Sequence, residues 1–202
     1  MGVDNGSGMR RAVFLDRDGV LNRNVWNSAV EAYESPLTPE QFELLPKVVP
    51  ALKLLRDAGY LLFLVSNQPN HAKGKAGMEV LEEIHRKFEM LLTAEGIVFT
   101  DYYYCFHHPD FTGTCRCRKP SPYFLFRVRD RFDVDLAQSW MIGDRISDIA
   151  CGRAAGTRTI GISPLTQSQT GADSITDDLW SAAQIITCYE RASITDVLAA
   201  ST

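Results

Sequence analysis

The 202-residue chain lacks the features that would assign it to a membrane or to nucleic acid. No apolar run is long enough to cross a bilayer, and residues 1–8 are polar and glycine-rich where a signal peptide would have an apolar core. No stretch is strongly basic, since 21 Lys and Arg stand against 25 Asp and Glu and give a formal net charge of -4. The sequence therefore predicts a cytoplasmic protein that binds neither a membrane nor nucleic acid.

Cysteine is also sparse, because the chain has only five, an odd number. A protein that is not exported keeps its cysteines as thiols, so a cluster of them favours a metal over a disulfide. Residues 105–117 contain the pattern C-x-H-H followed by C-x-C. Three thiolates and one imidazole, from His107 or His108, would complete the closed tetrahedral shell of a structural zinc ion. The alternative is a group of ordinary surface thiols, and Cys151 and Cys188 are predicted to be buried thiols.

The order of apolar segments predicts an α/β fold. Short continuous apolar runs are typical of parallel strands buried on both faces, and the segments that alternate with them carry one apolar stripe at helical spacing. We expect one domain over residues 11–190, after a flexible lead at 1–10 and before a tail at 191–202. The runs are Ala12–Leu15, Tyr60–Val65, Trp140–Ile142 and Thr159–Ile162, and the helices are predicted at residues 48–58, 78–94, 122–132 and 146–155.

Some segments are predicted to be less regular. Residues 23–46 form a long, largely irregular connection, residues 102–119 form the Cys/His-rich loop, and residues 179–186 offer one more short apolar element. The stripe of the predicted helix at 78–94 consists of Leu81, Ile84, Phe88 and Leu91.

Polar side chains follow three of the apolar runs. Asp16 and Asp18 come after the first run, Ser66 and Asn67 after the second, and Asp144 after the third. Ligands of open α/β sheets bind outside the carboxyl ends of the strands, so we expect these side chains to face one crevice. A carboxylate can attack phosphorus if a cation such as Mg²⁺ offsets the repulsion, and a second carboxyl group can protonate the leaving oxygen. The set predicts a metal-dependent phosphatase.

Each of these signals has a plainer explanation when it is taken alone. Asp-x-Asp-Gly also suits a turn or a calcium loop, but the apolar Val20 and Leu21 stand where further calcium ligands would be needed. A lysine such as Lys119 is usually a solvated surface group. Its place directly after Arg118 and the cysteine cluster favours a functional position.

The segment Phe14–Asn22 resembles motif I of the haloacid dehalogenase (HAD) superfamily. Ser66, Lys119 and Gly143–Asp148 resemble motifs II, III and IV, in the order of that superfamily. The resemblance implies a HAD fold, a Rossmann-like parallel sheet flanked by helices. It implies that Asp16 is the nucleophile and Asp18 the general acid and base. It further implies that Ser66 binds the phosphoryl group and that Lys119 neutralises its charge.

The same resemblance implies a magnesium site. Mg²⁺ would be held by Asp16, by the main-chain carbonyl of Asp18 and by Asp144. Asp148 lies four residues after Asp144, so both can face the same way on a helix. We assign Asp148 a supporting role, because one helical turn carries it away from direct ligation.

Residues 11 to about 162 resemble the branch of the superfamily that contains heptose-bisphosphate phosphatases and histidinol-phosphatases. The resemblance implies no large cap domain and a small substrate, with the segment from Asn22 to Pro46 and the zinc loop at 102–119 as walls. The implied zinc ligands are Cys105, His107, Cys115 and Cys117. The implied or predicted substrate-binding residues are Asn24, Trp26, Asn27, Asn67, Gln68 and Arg118.

One segment departs from that branch. The heptose phosphatases continue after motif II with S-G-I-A-R-G, whereas this chain has Pro69–Gly74 with the sequence P-N-H-A-K-G. Because proline removes a donor and fixes φ, the substrate wall is expected to differ. The sequence predicts a monomeric sugar-phosphate phosphatase with a heptose bisphosphate as first candidate. The alternatives are a histidinol-phosphate or other small phosphomonoesterase and an inactive zinc-bearing binding protein.

Overall fold

The computed structural model describes the backbone of residues 9–199 and the side chains of residues 9–189. This part of the chain contains eight strands and seven helices. The strands are Ala12–Leu15 (β1), Val25–Asn27 (β2), Ala32–Glu34 (β3), Leu61–Asn67 (β4), Asp101–Cys105 (β5), Trp140–Gly143 (β6), Arg158–Ile162 (β7) and Ser174–Thr176 (β8). The helices are Val48–Asp57 (α1), Met78–Thr93 (α2), Pro109–Thr112 (α3), Tyr123–Phe132 (α4), Ile146–Ala155 (α5), Gln167–Thr170 (α6) and Leu179–Ala199 (α7).

Six strands form one parallel sheet in the order β5-β4-β1-β6-β7-β8. β1 lies in the interior of the sheet, paired with β4 on one side and with β6 on the other. All four of its side chains are buried, as expected for a strand that is covered on both faces. The predicted α/β fold is therefore confirmed, and the apolar runs at β1, β4, β6 and β7 are strands.

Helices cover the sheet on both faces and create two apolar cores. One core joins the sheet to α1, α2 and α7 through residues such as Leu52, Phe88 and Ile186. The other joins it to α4 and α5 through residues such as Phe14 and Leu125. Each fully buried Leu or Phe side chain stabilises the fold by roughly 1.5–3 kcal/mol, so these two layers hold the strand ends in place.

The predicted helices at 48–58, 78–94, 122–132 and 146–155 agree with α1, α2, α4 and α5 to within one residue at each end. The buried stripe of α2 is slightly different from the prediction. Leu81, Ile84 and Phe88 are buried as expected, but Leu92 takes the last position and Leu91 lies at its edge. Successive helical residues are separated by about 100° of rotation, so both leucines border the same stripe.

Two predicted irregular segments contain regular structure. Residues 23–46 include the antiparallel hairpin of β2 and β3, and the predicted loop at 102–119 begins inside β5. β5 carries four half-buried side chains at the edge of the sheet, so no continuous apolar run indicates it. The hairpin is mostly exposed, so no continuous apolar run indicates it either. Between β1 and α1 the described chain holds this hairpin and no larger domain.

The ends of the chain differ in part from the predicted boundaries. Residues 1–8 of the predicted lead lie outside the described residues, and Arg10 pairs with Val134 through main-chain hydrogen bonds. The boundary predicted between residues 190 and 191 lies inside α7. None of the helices described over residues 9–199 combines the length and apolar character that a membrane crossing requires.

Candidate active site

Three carboxylates meet at the carboxyl ends of the parallel strands. Asp16 follows β1, Asp144 follows β6, and Asp148 lies in the first turn of α5. One oxygen of each lies within 4.8 Å of the others. Because β1 and β6 are adjacent and parallel, the sheet itself brings Asp16 and Asp144 to the same edge.

Lys119 is the cation within this cluster. Its Nζ lies 2.8 Å from Oδ1 of Asp16 and 2.8 Å from Oδ1 of Asp148, and it donates a hydrogen bond of 2.6 Å to the Val65 carbonyl. An ammonium group carries three protons, so all of its donors have partners although the side chain is only 2% exposed. Burial lowers the pKa of Lys119, but Asp148 and Asp16 outweigh that effect and raise it, so the lysine is charged.

Asn67 holds the backbone of Lys119. Its Nδ2 donates to the Lys119 carbonyl at 3.1 Å, and its Oδ1 accepts from the Lys119 N–H at 3.1 Å. The side-chain amide thus satisfies both polar groups of one peptide residue, as a neighbouring strand would. The structure therefore places this predicted substrate-binding residue against the backbone of Lys119.

Asp148 lies closer to the cluster than the sequence analysis predicts. That prediction assumed that Asp144 and Asp148 share a helix, but α5 begins only at Ile146. The Oδ2 of Asp148 accepts a hydrogen bond of 3.0 Å from the Arg145 N–H and so caps the helix. The carboxylate turns back toward the strand end, where its other oxygen meets Lys119.

Two glycines let the loops approach these carboxylates. A Cβ on Gly19 would lie 2.1 Å from Oδ2 of Asp144. Gly19 also has a φ of +84°, a backbone angle that residues other than glycine rarely adopt. A Cβ on Gly143 would lie 2.1 Å from the Cβ of Asp148. The glycine of motif I is therefore required by the contact as well as by the turn.

The carboxylate cluster suits a divalent cation. The Oδ1 of Asp144 is buried and has no hydrogen-bond partner. Burial, together with the charges of Asp16 and Asp148, raises the pKa of Asp144 to about 7. A further positive charge would relieve this repulsion, and carboxylate oxygens are the ligands that Mg²⁺ prefers. The residues present therefore fit the predicted metal.

Asp18 belongs to a buried network beside the cluster. Its carboxylate accepts hydrogen bonds of 3.0 Å from Arg17 and from Asn22, and it also accepts from Gln68 and bonds with Ser35. Burial raises the pKa of Asp18, but the charge of Arg17 and these hydrogen bonds outweigh burial and lower it. In this arrangement Asp18 is an ionised carboxylate, the form that accepts a proton.

Arg17 is the main member of this network that the sequence analysis missed. Its side chain is 2% exposed and donates to Asp18 and, at 3.0 Å, to Oε1 of Gln68. Gln68 also donates to the Ser66 hydroxyl at 3.1 Å, so this predicted substrate-binding side chain forms its hydrogen bonds within the network. The signal for Arg17 was available, since a lone arginine inside a buried segment needs charged partners.

The other predicted substrate-binding residues differ in their exposure and in their contacts. The Nδ2 of Asn24 faces Gly19 near Asp144, and its Oδ1 is buried without a partner. Trp26 is 53% exposed and packs edge-on against Tyr33 in the hairpin. Asn27 donates to Glu34 at 2.8 Å within the same hairpin.

The hairpin is joined to the loop that follows motif II. Glu34 forms an ion pair with Lys75, and both side chains are less than one-third exposed. The connection joins the predicted wall at 22–46 to the residue that directly follows Pro69–Gly74, the segment in which this chain departs from the heptose phosphatases.

The four predicted zinc ligands converge at the end of β5. Five of their pairwise ligand-atom distances lie between 3.3 and 3.7 Å. A tetrahedral site with metal–sulfur bonds of ~2.3 Å has edges of about 3.8 Å, so the cluster already has nearly that size. Burial raises the pKa of Cys105 to about 12, which a bound cation would reverse. The four side chains are those of Cys105, His107, Cys115 and Cys117, and they could hold one metal ion.

The alternative ligand His108 lies outside the cluster. Its Nδ1 accepts a hydrogen bond of 3.2 Å from the Asp110 N–H, at the start of α3. Arg118 donates to the His107 carbonyl at 3.1 Å, so the loop fixes this side chain next to Lys119. Cys151 is buried as predicted, whereas Cys188 is exposed because it lies on the outer face of α7.

Comparisons with known proteins agree with this fold. A family model described as HAD-hydrolase-like matches residues 116–181. The D-glycero-beta-D-manno-heptose-1,7-bisphosphate 7-phosphatase of Yersinia pestis is 33% identical over 153 residues, which cover 73% of this chain and 77% of that protein. The D-glycero-alpha-D-manno-heptose-1,7-bisphosphate 7-phosphatase of Photorhabdus laumondii is 32% identical over 151 residues, 72% of this chain and 78% of that protein.

A solved structure gives the same result. The D,D-heptose 1,7-bisphosphate phosphatase from B. bronchiseptica, complexed with magnesium and phosphate, superposes with a TM-score of 0.76 at 27% identity. The match covers 89% of this chain and 99% of that one. Fold, site and comparisons together define a HAD-like phosphatase. Within that class, the chain belongs to the family of the heptose-1,7-bisphosphate 7-phosphatases.

Proposed function

We propose that this chain is a Mg²⁺-dependent phosphomonoesterase that transfers the phosphoryl group of a small sugar phosphate first to Asp16 and then to water. The observation that carries the proposal is the buried group in which Lys119 lies 2.8 Å from Asp16 beside two further carboxylates. Phosphoryl transfer depends mostly on positioning and on charge neutralisation, and this group supplies both.

In the first step a carboxylate oxygen of Asp16 attacks phosphorus, and the bond from phosphorus to the leaving oxygen breaks. Asp18 gives its proton to that oxygen, so that the alcohol leaves neutral. The approach of an anionic phosphoryl group favours this protonated form, because a nearby negative charge raises the pKa of a carboxyl group. In the second step water attacks the phosphorus of the aspartyl-phosphate, and Asp18 accepts the water proton. The bond from phosphorus to the Asp16 oxygen breaks, which restores the Asp16 carboxylate and releases inorganic phosphate.

The remaining residues of the cluster neutralise the charge of the phosphoryl group and hold the metal ion. Lys119 offsets the phosphoryl charge, and the Ser66 hydroxyl is proposed to donate to a phosphoryl oxygen. The residues that would hold Mg²⁺ are Asp16, Asp144 and Asp148, with the Asp18 carbonyl as a further candidate. Bound there, the ion would neutralise the charge between the nucleophile and the phosphate.

The Cys/His cluster is proposed to hold a structural Zn²⁺. Its four side chains would fill the tetrahedral shell, which leaves no position for water or substrate. The cluster ends at Cys117, and Arg118 and Lys119 follow directly. The loop therefore fixes the position of Lys119 from one side, as Asn67 does from the other.

We propose D-glycero-D-manno-heptose 1,7-bisphosphate as the first candidate substrate, with loss of the phosphate at C7. Relatives at about one-third identity carry this activity in their names, and they include both anomers. The hairpin and the Arg118 loop, without a larger cap between β1 and α1, suit a substrate of that size. Contacts from Asn24, Trp26, Asn27 and Arg118 to the sugar remain predictions, as do a monomeric state and a cytoplasmic location.

The experiment that tests the function is phosphate release with Mg²⁺ across a panel of phosphorylated metabolites. The panel holds both anomers of heptose 1,7-bisphosphate, fructose 1,6-bisphosphate and histidinol phosphate. We expect a kcat/KM preference for one heptose anomer. Preference for histidinol phosphate, or weak and even turnover of the whole panel, would contradict the proposed substrate while leaving the chemistry in place.

A variant of the nucleophile tests the chemistry separately. Asp16→Asn keeps the shape of the side chain but removes the attacking carboxylate, so turnover of every substrate should be lost. Asp57→Asn, a change at an exposed ion pair with Arg56, is the matched control and should keep full activity. If Asp16→Asn kept its activity, the proposed nucleophile would be wrong.

A further inference from the structure

Arg17 occupies a position that needs support from several sides. Its guanidinium is buried and donates from Nε and Nη2 to Oδ1 of Asp18, at 3.2 and 3.0 Å. Because the guanidinium is a rigid planar fork, its orientation determines the orientation of the carboxylate that it grips. Gln68 holds one edge of this fork at 3.0 Å.

Tyr104 and His85 border the same pocket as Arg17. The hydroxyl group of Tyr104, on β5, interacts with the guanidinium of Arg17. The same hydroxyl lies 3.0 Å from Nδ1 of His85, on α2. The Nε2 of His85 in turn lies 3.4 Å from a carboxylate oxygen of Glu89, whose side chain is 44% exposed. Five side chains thus form one chain of contacts from the buried Asp18 to the surface.

We propose that Tyr104 and His85 are positioning residues for Asp18 and act on it through Arg17. The inference rests on the proposed function, because it assigns these residues to the proton-transfer step. The hydroxyl of Tyr104 fixes the guanidinium, His85 fixes the hydroxyl, and the guanidinium fixes the carboxylate that meets the leaving oxygen.

A cavity explains why the hydroxyl is needed. A pocket of about 80 Å³, partly open to solvent, lies between α2 and β5 and is bordered by Arg17, Gln68, His85 and Tyr104 together with Glu82 and apolar side chains. Without the hydroxyl of Tyr104, the guanidinium has open volume on this side and one partner fewer to hold it away from that volume. A shift of about 1 Å in a catalytic group is enough to cost up to ~100-fold in rate.

The choice of leaving group distinguishes a misplaced Asp18 from a general loss of activity. An alkyl phosphate releases an alcohol, so its leaving oxygen needs the proton of Asp18 as the bond to phosphorus breaks. p-Nitrophenyl phosphate releases a stable phenolate and needs no proton at that moment. The rate of its first burst of p-nitrophenolate therefore reports attack by Asp16 independently of the acid.

The test compares Tyr104→Phe with the wild-type chain on both kinds of substrate, using the alkyl phosphate that the metabolite panel shows to be turned over best. We expect kcat for the alkyl phosphate to fall about tenfold, part of the ~10²–10⁴-fold that a general acid supplies, with KM changed by less than about twofold. The burst rate with p-nitrophenyl phosphate should stay within about twofold of wild type. Tyr103→Phe, the neighbouring residue on the opposite face of β5, is the matched control and should change neither rate.

His85 gives an independent variant. His85→Ala should reproduce the loss on the alkyl phosphate, and His85→Asn, whose amide takes the position of Nδ1, should restore part of it. Equal losses on both substrates, or no loss on the alkyl phosphate, would overturn the inference. A wild-type chain that hydrolyses neither substrate, or a fully active Asp16→Asn, would instead contradict the proposed function.

Discussion

Individual residues of the site are constrained by charge and by close contact. Three acids share a cluster with Lys119, and each is brought there by a different main-chain feature. The sequence was sufficient to predict the residues that end strands, because a polar group after a buried apolar run is visible as such. It was insufficient for Arg17 and Asp148. Their positions depend on how a loop folds back and on where α5 begins.

Gly19 provides the first prediction at this scale. Gly19→Ala would place a Cβ 2.1 Å from Oδ2 of Asp144 at a φ of +84°. We expect weaker Mg²⁺ binding and a loss of about 1–2 kcal/mol in the free energy of unfolding, since a side chain in the left-handed region is strained. A Mg²⁺ titration of activity and a urea denaturation curve measure the two effects.

Gly96 is the matched control for this variant. It has a φ of +70°, but a Cβ there would meet no atom within 4 Å. Gly96→Ala should therefore lose stability through backbone strain alone and keep the Mg²⁺ dependence of the wild type. Similar Mg²⁺ dependence in both variants would show that the contact with Asp144 has no influence on the metal.

Asn67 provides the second prediction. Asn67→Ala removes both hydrogen bonds to the backbone of Lys119 and leaves buried polar groups unpaired, at a cost of about 1–3 kcal/mol in stability. We expect kcat to fall about tenfold, because misplacement of a charge-neutralising group weakens transition-state stabilisation. Steady-state kinetics and thermal unfolding test this together. Unchanged kcat with reduced stability would mean that the pair is structural only.

At the scale of elements, sequence patterns predicted those that bury a continuous apolar face. β1, β4, β6 and β7, and helices α1, α2, α4 and α5, all show such a face. β5 and the β2–β3 hairpin were not predicted. They are half-buried or exposed, so the pattern of their residues carries little information about secondary structure. They are nevertheless the elements that carry Tyr104, Cys105 and Glu34.

The zinc loop provides the element-scale prediction. Cys115→Ser should remove the bound Zn²⁺, because a serine hydroxyl is a poor ligand for this ion. Lys119 should then lose its fixed position, so kcat should fall while KM changes less. Zinc content after dialysis against a mild chelator, together with kcat, measures the two effects. Cys188→Ser is the control, since Cys188 is exposed and outside the cluster. An active Cys115→Ser variant without zinc would separate the loop from catalysis.

For the whole molecule, alternation of strands and helices was sufficient to predict the parallel sheet and the edge at which the site lies. It was insufficient for the charge balance at that edge. The pKa of Asp144 is raised to about 7 by burial and by its acidic neighbours, a property of the assembled fold. In the unfolded chain this carboxyl group is ionised throughout the neutral range. Between about pH 4 and pH 7, Asp144 of the folded, metal-free protein therefore binds up to one proton more than Asp144 of the unfolded chain.

This difference predicts how pH and Mg²⁺ act together on stability. The contribution of Asp144 to the free energy of unfolding should increase as pH falls from 8 to 6 without metal, because the folded state takes up the proton. Mg²⁺ competes with that proton, so its apparent affinity should fall up to about tenfold per pH unit below 7, a change of about 1.4 kcal/mol.

Thermal melts at pH 6, 7 and 8, with and without a fixed concentration of Mg²⁺, test this coupling. The increase in Tm caused by Mg²⁺ should be largest at pH 8 and smallest at pH 6, since ligand binding stabilises the folded state in proportion to the logarithm of its affinity. Asp144→Asn should abolish most of the increase at every pH, whereas Asp130→Asn, at an exposed ion pair, should keep it. A Mg²⁺ effect that is equal at pH 6 and pH 8 would mean that Asp144 is already ionised at pH 6 and that the cluster holds its charge without the metal.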